Sequence, residues 1–227
     1  MNQLTFAIGD IHGEMFLLHQ LVKQCFAHAK AQETEAHFVF LGDYVDRGPR
    51  SNEVIAFLRK LPNAICLRGN HDHMMCEAVI HKLRDSKYWW LNNGGLRTIE
   101  SYAAPNYSPE MVTEYASILA DAHWLASLPV SFEDGHRFFC HAGIRPGVPL
   151  AEQSDDDLMW IREEFTAYHA MHPKLIVHGH TPCLSGPEVL PNRVGICTGG
   201  CFKNGQLTAA VLDETQAEPI NFISVER

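Results

Sequence analysis

Basic residues are scarce in this chain. Its 18 Lys and Arg stand against 27 Asp and Glu, a formal net charge of −9. A surface that coats nucleic acid needs the opposite balance, so no nucleic-acid partner is expected, although a small basic pocket is not excluded. Long apolar runs are missing too. None approaches the roughly 18 residues that a membrane helix requires, so no membrane partner is expected. The start, Met1-Asn2-Gln3-Leu4-Thr5-Phe6, has neither the basic region nor the apolar stretch of a secretory signal. Repeats, low-complexity tracts and linkers are absent, and a single domain over residues 1–227 is expected. Seven cysteines, odd in number and scattered, do not make a disulfide framework, and they suit a cytoplasmic location. Cys197 and Cys201 have no companions at structural-zinc spacing. Cys25, Cys66, Cys140 and Cys197 lie in apolar runs and read as small buried hydrophobes.

What remains is an ordinary globular composition, 46% hydrophobic and 20% charged, with a high count of 14 histidines. A chain of this size buries roughly 70% of its unfolded surface without staples. The central stretch is Phe38-Val39-Phe40-Leu41-Gly42-Asp43-Tyr44-Val45-Asp46-Arg47-Gly48-Pro49. An apolar strand runs into a loop carrying two carboxylates and a guanidinium, and strand ends of this kind are where α/β proteins place chemistry. Taken alone it also reads as a solvated turn. The same unit recurs, however. Strand 4–8 ends at Gly9-Asp10-Ile11-His12-Gly13, and strand 64–67 ends at Arg68-Gly69-Asn70-His71-Asp72-His73. Helical spacing over 14–30 places Phe16, Leu17, Val22 and Phe26 inward, with Leu21 and Cys25. Ser51 is a plausible N-cap for a helix through Lys60. Strand, loop and helix thus repeat three times, the pattern of βαβ units around a parallel sheet.

Residues 74–128 are predicted mostly helical and hold Trp89, Trp90, Tyr102, Tyr107, Tyr115 and Trp124, with Pro105-Asn106-Tyr107 among the punctuation. They read as a core-packing helical layer, or as a lid over the loop edge that sets substrate choice. Beyond them, Asp134-Gly135 marks a hairpin between 130–132 and 137–140, which delivers His141. Residues 155–168 form an amphipathic helix or turn carrying Trp160 and Arg162. Its acidic start, Asp155-Asp156-Asp157, is a solvated helix beginning. Strand 175–177 delivers His178 and His180, and the rest of the chain is expected to form antiparallel strands. Five strand-to-loop junctions therefore carry Asp, Asn or His: 10/12, 43/46, 70/71, 141 and 178/180. Mixed carboxylate, amide and imidazole donors suit Mn, Fe or Zn, and an Asn ligand argues against a purely structural zinc site. With two metals one carboxylate bridges, and Asp43 is the candidate.

Gly9-Asp10-Ile11-His12-Gly13, Gly42-Asp43-Tyr44-Val45-Asp46-Arg47-Gly48 and Arg68-Gly69-Asn70-His71-Asp72 resemble the phosphoprotein phosphatase family of calcineurin-like metallophosphoesterases, in its bacterial and bacteriophage branch. Trp90-Leu91-Asn92-Asn93-Gly94-Gly95, Met159-Trp160-Ile161-Arg162 and Gly179-His180-Thr181-Pro182 extend the match over nearly the whole chain. The resemblance implies an α/β fold, a central β-sandwich of mixed sheets built from βαβ units and flanked by helices. It implies two divalent metal ions, manganese first, with Asp10, His12 and Asp43 on one, and Asp43, Asn70, His141 and His180 on the other. Arg47, Arg68 and Arg162 would clasp phosphate. His71, oriented by Asp46, would face the leaving group, and the carboxylate would keep its imidazolium protonated longer. The expected reaction is phosphomonoester hydrolysis by metal-bridged hydroxide, with a phosphorylated protein or peptide (phosphoserine or phosphothreonine) as substrate.

The alternative substrate is a dinucleoside polyphosphate, cleaved as by a symmetrical bis(5'-nucleosyl)-tetraphosphatase. Gly69-Asn70-His71-Asp72 and His141-Ala142-Gly143 both resemble those enzymes. A metallophosphoesterase nuclease fits less well, because Pro182 stands where its second histidine would be. A catalytically dead scaffold would have lost ligands that this chain retains. Two departures stand out. Asp72 replaces a common Glu and is read as supporting the ligands from behind. Cys197 replaces the Asp of a common Ile-Asp-Thr-Gly turn, so the loop there must be held otherwise. His178 and His73 read as supporting or core histidines.

Overall fold

The computed structural model describes residues 3–82, 84–103 and 108–226. The chain begins with β1 (Gln3–Ile8), α1 (Met15–Ala31), β2 (Glu35–Phe40), α2 (Ser51–Leu58), β3 (Ala64–Cys66) and α3 (Asn70–Val79). A helical stretch follows: α4 (Arg84–Trp90), a π-helical turn at Leu91–Gly95, α5 (Leu96–Tyr102), α6 (Pro109–Val112) and α7 (Ala116–Ala126). Then come β4 (Ser131–Glu133), β5 (Arg137–Cys140), α8 (Asp155–Trp160), α9 (Glu163–Thr166) and β6 (Leu175–His178). The chain closes with β7 (Glu188–Leu190), β8 (Arg193–Gly195), β9 (Gln206–Leu212) and β10 (Asn221–Glu226). Among the described residues no helix is long and apolar enough to cross a membrane. Tyr107 and the Pro105-Asn106 turn lie outside the described residues.

The strands form two mixed five-stranded sheets, ordered β10-β9-β1-β2-β3 and β4-β5-β6-β8-β7. β1, β2 and β3 are parallel, as are β5, β6 and β8. The strand alternation explains the layers. Ala7, Val39 and Leu41 face Phe139, Val177 and Val194 between the sheets. Phe6, Ile8, Phe38 and Phe40 face outward onto α1, α2 and the helical stretch. Phe138, Cys140 and Ile176 pack outward against Leu158 and Phe165. The expected α/β fold of two mixed sheets flanked by helices is present.

Four details differ from expectation. β8 pairs in parallel with β6, where an all-antiparallel ending was expected. Phe16 and Phe26 of α1 are exposed, and Leu18 and Ala29 take the inward positions instead. Ser51 is not the N-cap of α2, a place held by Arg50. Its hydroxyl is buried and meets the Asp46 N–H at 3.3 Å and Thr98 Oγ1 at 3.1 Å. The amphipathic helix or turn expected over 155–168 is two short helices, α8 and α9, separated at Ile161 and Arg162, which leaves Arg162 free to project.

The parallel strands of both sheets end at one edge, and the loops there cross at contact distance. A Cβ on Gly42, whose φ is +103°, would lie 2.5 Å from the Gly69 nitrogen. A Cβ on Gly69 would lie 2.4 Å from the Asp43 nitrogen. Only glycine permits this crossing. One buried side chain secures it: the Asp72 carboxylate accepts the N–H groups of Asp43 (2.8 Å), Tyr44 (3.0 Å) and Gly69 (3.0 Å). Each buried N–H left without a partner costs about 1–3 kcal/mol. Asp72→Ala is therefore expected to lower unfolding free energy by about 3–5 kcal/mol, read from the midpoint and slope of urea denaturation.

Candidate metal centre

The edge gathers polar side chains that are almost completely removed from water. Asp10, His12, Asp43, Asp46, Asn70, His71, His141 and His180 are all buried. They arrive on separate loops, and several of these loops adopt a left-handed backbone unusual for non-glycine residues: His12 (φ 46°), Asp43 (57°), Asp46 (72°), Arg47 (65°) and His180 (61°). Such backbone strain persists only where the surroundings over-determine it, and it concentrates at functional sites.

Asp43 lies at the middle. Its Oδ1 accepts the His71 N–H at 2.9 Å and lies 3.4 Å from His141 Nε2. Its Oδ2 lies 3.4 Å from His12 Nε2. Two clusters of metal-competent atoms share it: His12, Asp43 and His71, and Asp43, His141 and His180. The amide oxygen of Asn70 belongs to the second, 2.9 Å from His141 Nε2 and 3.0 Å from His180 Nδ1. Asp10 sits behind, its Oδ1 accepting the His180 N–H at 3.0 Å. The ligand set expected from sequence is thus brought to one place, with His71 rather than Asp10 inside the first close cluster.

The donor chemistry fits divalent cations. The Nδ1 atoms of His12 and His141 lie 2.8 Å from the carbonyls of Val45 and Leu41, so each donates there and turns a bare Nε2 lone pair inward. The His141 lone pair then faces the Asn70 amide oxygen at 2.9 Å, acceptor against acceptor, a contact that a cation between them would reconcile. His180 Nε2 is buried with no partner. Burial, reinforced by the neighbouring Asp10 carboxylate, raises Asp43 well above the ordinary carboxylate range. For Asp10, burial acts upward, but His141, His12 and the His180 N–H outweigh it and hold the group low. Burial pushes the imidazoles of His12, His141 and His180 down. Neutral imidazoles and crowded carboxylates are what a dication needs. A guanidinium already acts as a stand-in cation here: Arg47 reaches His12 Nε2 at 2.8 Å and His71 Nε2 at 2.9 Å.

The other expected residues divide. Asp46 accepts from Trp90 Nε1 (2.9 Å) and Thr98 Oγ1 (2.7 Å), and its Oδ2 is 2.7 Å from His71 Nδ1. Asp46 therefore orients His71. Sequence reading had placed Trp90 in a matching motif without a role, and nothing had marked Thr98. The protonation expectation for His71 is reversed. Burial first, and Arg47 second, push it down to about 3, while burial lifts Asp46 to about 7. Arg162 is exposed but close enough to depress His71, His141 and His180 electrostatically. Arg68 points elsewhere, to the Ala126 carbonyl at 2.9 Å and Asp155 at 3.6 Å. His178 is a core histidine packed edge-on against Phe165. Cys197 is more than a small hydrophobe: its thiol donates to Asp10 Oδ2 at 3.2 Å. It holds the carboxylate from behind.

A cavity of about 540 Å³ opens at the opposite end, lined by Gln3, His37, Phe132, Arg137 and Glu214. It gathers the beginnings of the parallel strands, whereas ligands of open α/β sheets bind beyond their carboxyl ends.

Residues 5–208 match the calcineurin-like phosphoesterase model, and the chain belongs to that family. Family membership implies a dinuclear divalent metal centre. The chain is 34% identical over 149 residues to a symmetrical bis(5'-nucleosyl)-tetraphosphatase of Vibrio vulnificus, a match that covers 65% of this chain and 47% of that protein. The chain thus matches about half the length of that relative. It is 28% identical to the asymmetrical bis(5'-nucleosyl)-tetraphosphatase PrpE of Anoxybacillus flavithermus, over 89% of this chain and 87% of that one. Among solved structures, a putative diadenosine tetraphosphatase superposes with a TM-score of 0.69 at 22% identity, covering 99% of this chain and 94% of that one. A serine/threonine phosphatase of Saccharomyces cerevisiae superposes at 0.62 with 15% identity, covering 100% and 80%. At such identities the likeness concerns the fold.

Two outcomes are expected. Replacing the thiol donor, Cys197→Ala should weaken divalent-metal affinity about 10-fold, while Cys197→Ser, which keeps a donor, should preserve most of it, both read by calorimetric titration. Because Asp43 holds its proton to unusually high pH, metal uptake should release protons and metal affinity should fall as pH is lowered. Titrations in buffers of different ionisation heat measure that release.

Proposed function

We propose that the protein hydrolyses dinucleoside polyphosphates of the bis(5'-nucleosyl)-tetraphosphate type. Two divalent metals, manganese by preference, would be held by Asp10, His12 and Asp43, and by Asp43, Asn70, His141 and His180. The observation that carries the substrate is the similarity to proteins named for this reaction, one of them over 89% of the chain and 87% of its own length. The phosphoprotein reading expected from sequence rests on a resemblance of motifs and on a structural likeness at 15% identity, which speaks to fold.

When bound, the dications supply Lewis-acid polarisation of phosphoryl oxygens and a lowered pKa for the attacking water. The chain's own residues do the rest. Arg47 and Arg162 present guanidiniums to the phosphate oxygens, where charge accumulates during attack. Arg47 exchanges its imidazole contacts for phosphate. Arg68, engaged with Ala126 and Asp155, contributes charge from farther away.

His71 favours the same substrate class. Its Nδ1 is fixed by Asp46, so Nε2 is the atom presented to the leaving group. A neutral imidazole is a poor proton donor to an alkoxide. A nucleotide leaves as a terminal phosphate, whose second pKa is about 6, and needs little protonation. With its Nδ1–H on Asp46, a neutral His71 presents a bare Nε2 that accepts from Arg47 and orients that guanidinium toward the phosphate.

The decisive experiment is turnover of diadenosine tetraphosphate against a phosphothreonine peptide by the manganese-loaded protein, with nucleotides separated chromatographically. The dinucleotide should be cleaved with higher kcat/KM, and chelation should abolish the activity. Two equivalents of ADP, or ATP with AMP, define the bond cut. Preferred peptide turnover would overturn the reading. His71→Asn should retain metal and cost the dinucleotide reaction less than the about 10²–10⁴-fold that loss of a general acid costs.

A further inference from the structure

A depression of about 460 Å³ opens beside the candidate metal centre, lined by Trp160, Ile161, Arg162, Asp156 and Glu163, together with Arg145, which is ion-paired to Asp157 at 2.6 Å and to Glu164 at 3.0 Å. Arg162 belongs to both places. It lines the depression and its charge reaches His71, His141 and His180. Trp160, two residues earlier and half-buried, forms an aromatic wall. Trp89 of α4 stacks on it, with ring centroids 5.0 Å apart and planes 18° from parallel. Trp89 is itself 45% exposed, so the pair is not a closed core contact. The neighbouring residue Trp90 is fully buried and bonded to Asp46, which fixes where α4 presents Trp89.

The charge pattern sorts a ligand by its ends. Carboxylates at Asp156 and Glu163 repel a polyphosphate, which is drawn to Arg47, Arg162 and the cations that the centre would hold, while Arg145 is already engaged by Asp157 and Glu164. The Asp156 and Glu163 carboxylates accept hydrogen bonds from a neutral group that carries hydroxyl donors. An indole wall adds a flat surface for stacking. A nucleoside has both features, a ribose with two hydroxyls and a planar base. Resting on the dinucleotide reading above, we propose that this depression is the nucleoside subsite, with the base stacked on the Trp160–Trp89 pair and the ribose hydroxyls facing the acidic rim. Stacking tolerates any base, so the subsite discriminates nucleoside-capped polyphosphates from bare phosphates rather than one base from another.

The test uses the full chain loaded with manganese. ADP and inorganic pyrophosphate are titrated calorimetrically into the wild type, Trp160→Ala, Trp160→Phe and Trp89→Ala. Trp160→Ala should weaken ADP about 10-fold. Trp160→Phe, which keeps a stacking face, should weaken it by only about 2-fold. Pyrophosphate affinity should shift by less than about 2-fold throughout. Equal losses for ADP and pyrophosphate would reveal a merely structural pair and overturn the subsite, as would an unchanged ADP affinity. If Trp160→Ala fails to fold, the exposed Trp89→Ala carries the same comparison and decides it. Diadenosine tetraphosphate turnover in the same wild-type preparation separates the two readings. Turnover with tryptophan-independent ADP binding sinks the subsite alone. Tryptophan-dependent ADP binding without turnover supports the subsite and sinks the proposed reaction.

Discussion

The structure depends on how one dry carboxylate, Asp43, is surrounded. It is buried beside a second carboxylate, with imidazoles on both flanks. Burial and that neighbour favour its protonated form, so its ionised form calls for a cation close by. Its carbonyl accepts the N–H groups of Ile11 and His12, its N–H is taken by Asp72, and its carboxylate takes the N–H of His71. The loops after β1, β2 and β3 are thereby tied to one residue. A buried unpaired charge is among the most costly features a fold can hold. Here the cost is met locally by Arg47, and in the family by cations.

That constraint explains the backbone of the edge. Five non-glycine residues adopt left-handed φ within or beside the ligand set. At roughly 1 kcal/mol or more each, such strain survives only on a rigid base. The two sheets supply it. The apolar layer between them is mostly aliphatic, with Phe139 among the Ala, Val, Leu and Ile side chains, and the Phe side chains of β1 and β2 fill the outer face of the first sheet. The parallel strands end together because each βαβ unit returns its next strand in the same direction.

Much of this was legible in the sequence, for a physical reason. Strand ends that turn polar at once, five times over, have no place in an ordinary core, so the junctions at 10/12, 43/46, 70/71, 141 and 178/180 stand out together, and the family resemblance singles out Asp10, His12, Asp43, Asn70, His141 and His180 among them as ligands. What escaped were properties that depend on partners distant in the chain. Thr98 is a lone threonine in a helix until α5 places it 2.7 Å from Asp46. Cys197 reads as a hydrophobe until the loop after β8 brings it beside Asp10, 187 residues away. The neutrality of His71 reverses a local argument, because burial and Arg47 outweigh the adjacent carboxylate. The direction of Arg68 follows from the position of Ala126, which no spacing rule encodes. β8 was misread because parallel pairing with β6 has no local signature.

The hydrogen bond from the His180 N–H to Asp10 spans 170 residues. Its consequence lies in time rather than space. Contacts of such separation form late, since the intervening chain must be gathered first. During synthesis His12, Asp43 and His71 emerge while the second sheet does not yet exist. His180 emerges only when most of the chain has been made. The half of the centre built from His141 and His180 therefore cannot be acquired piecemeal, and a chain interrupted before β6 carries an incomplete ligand set.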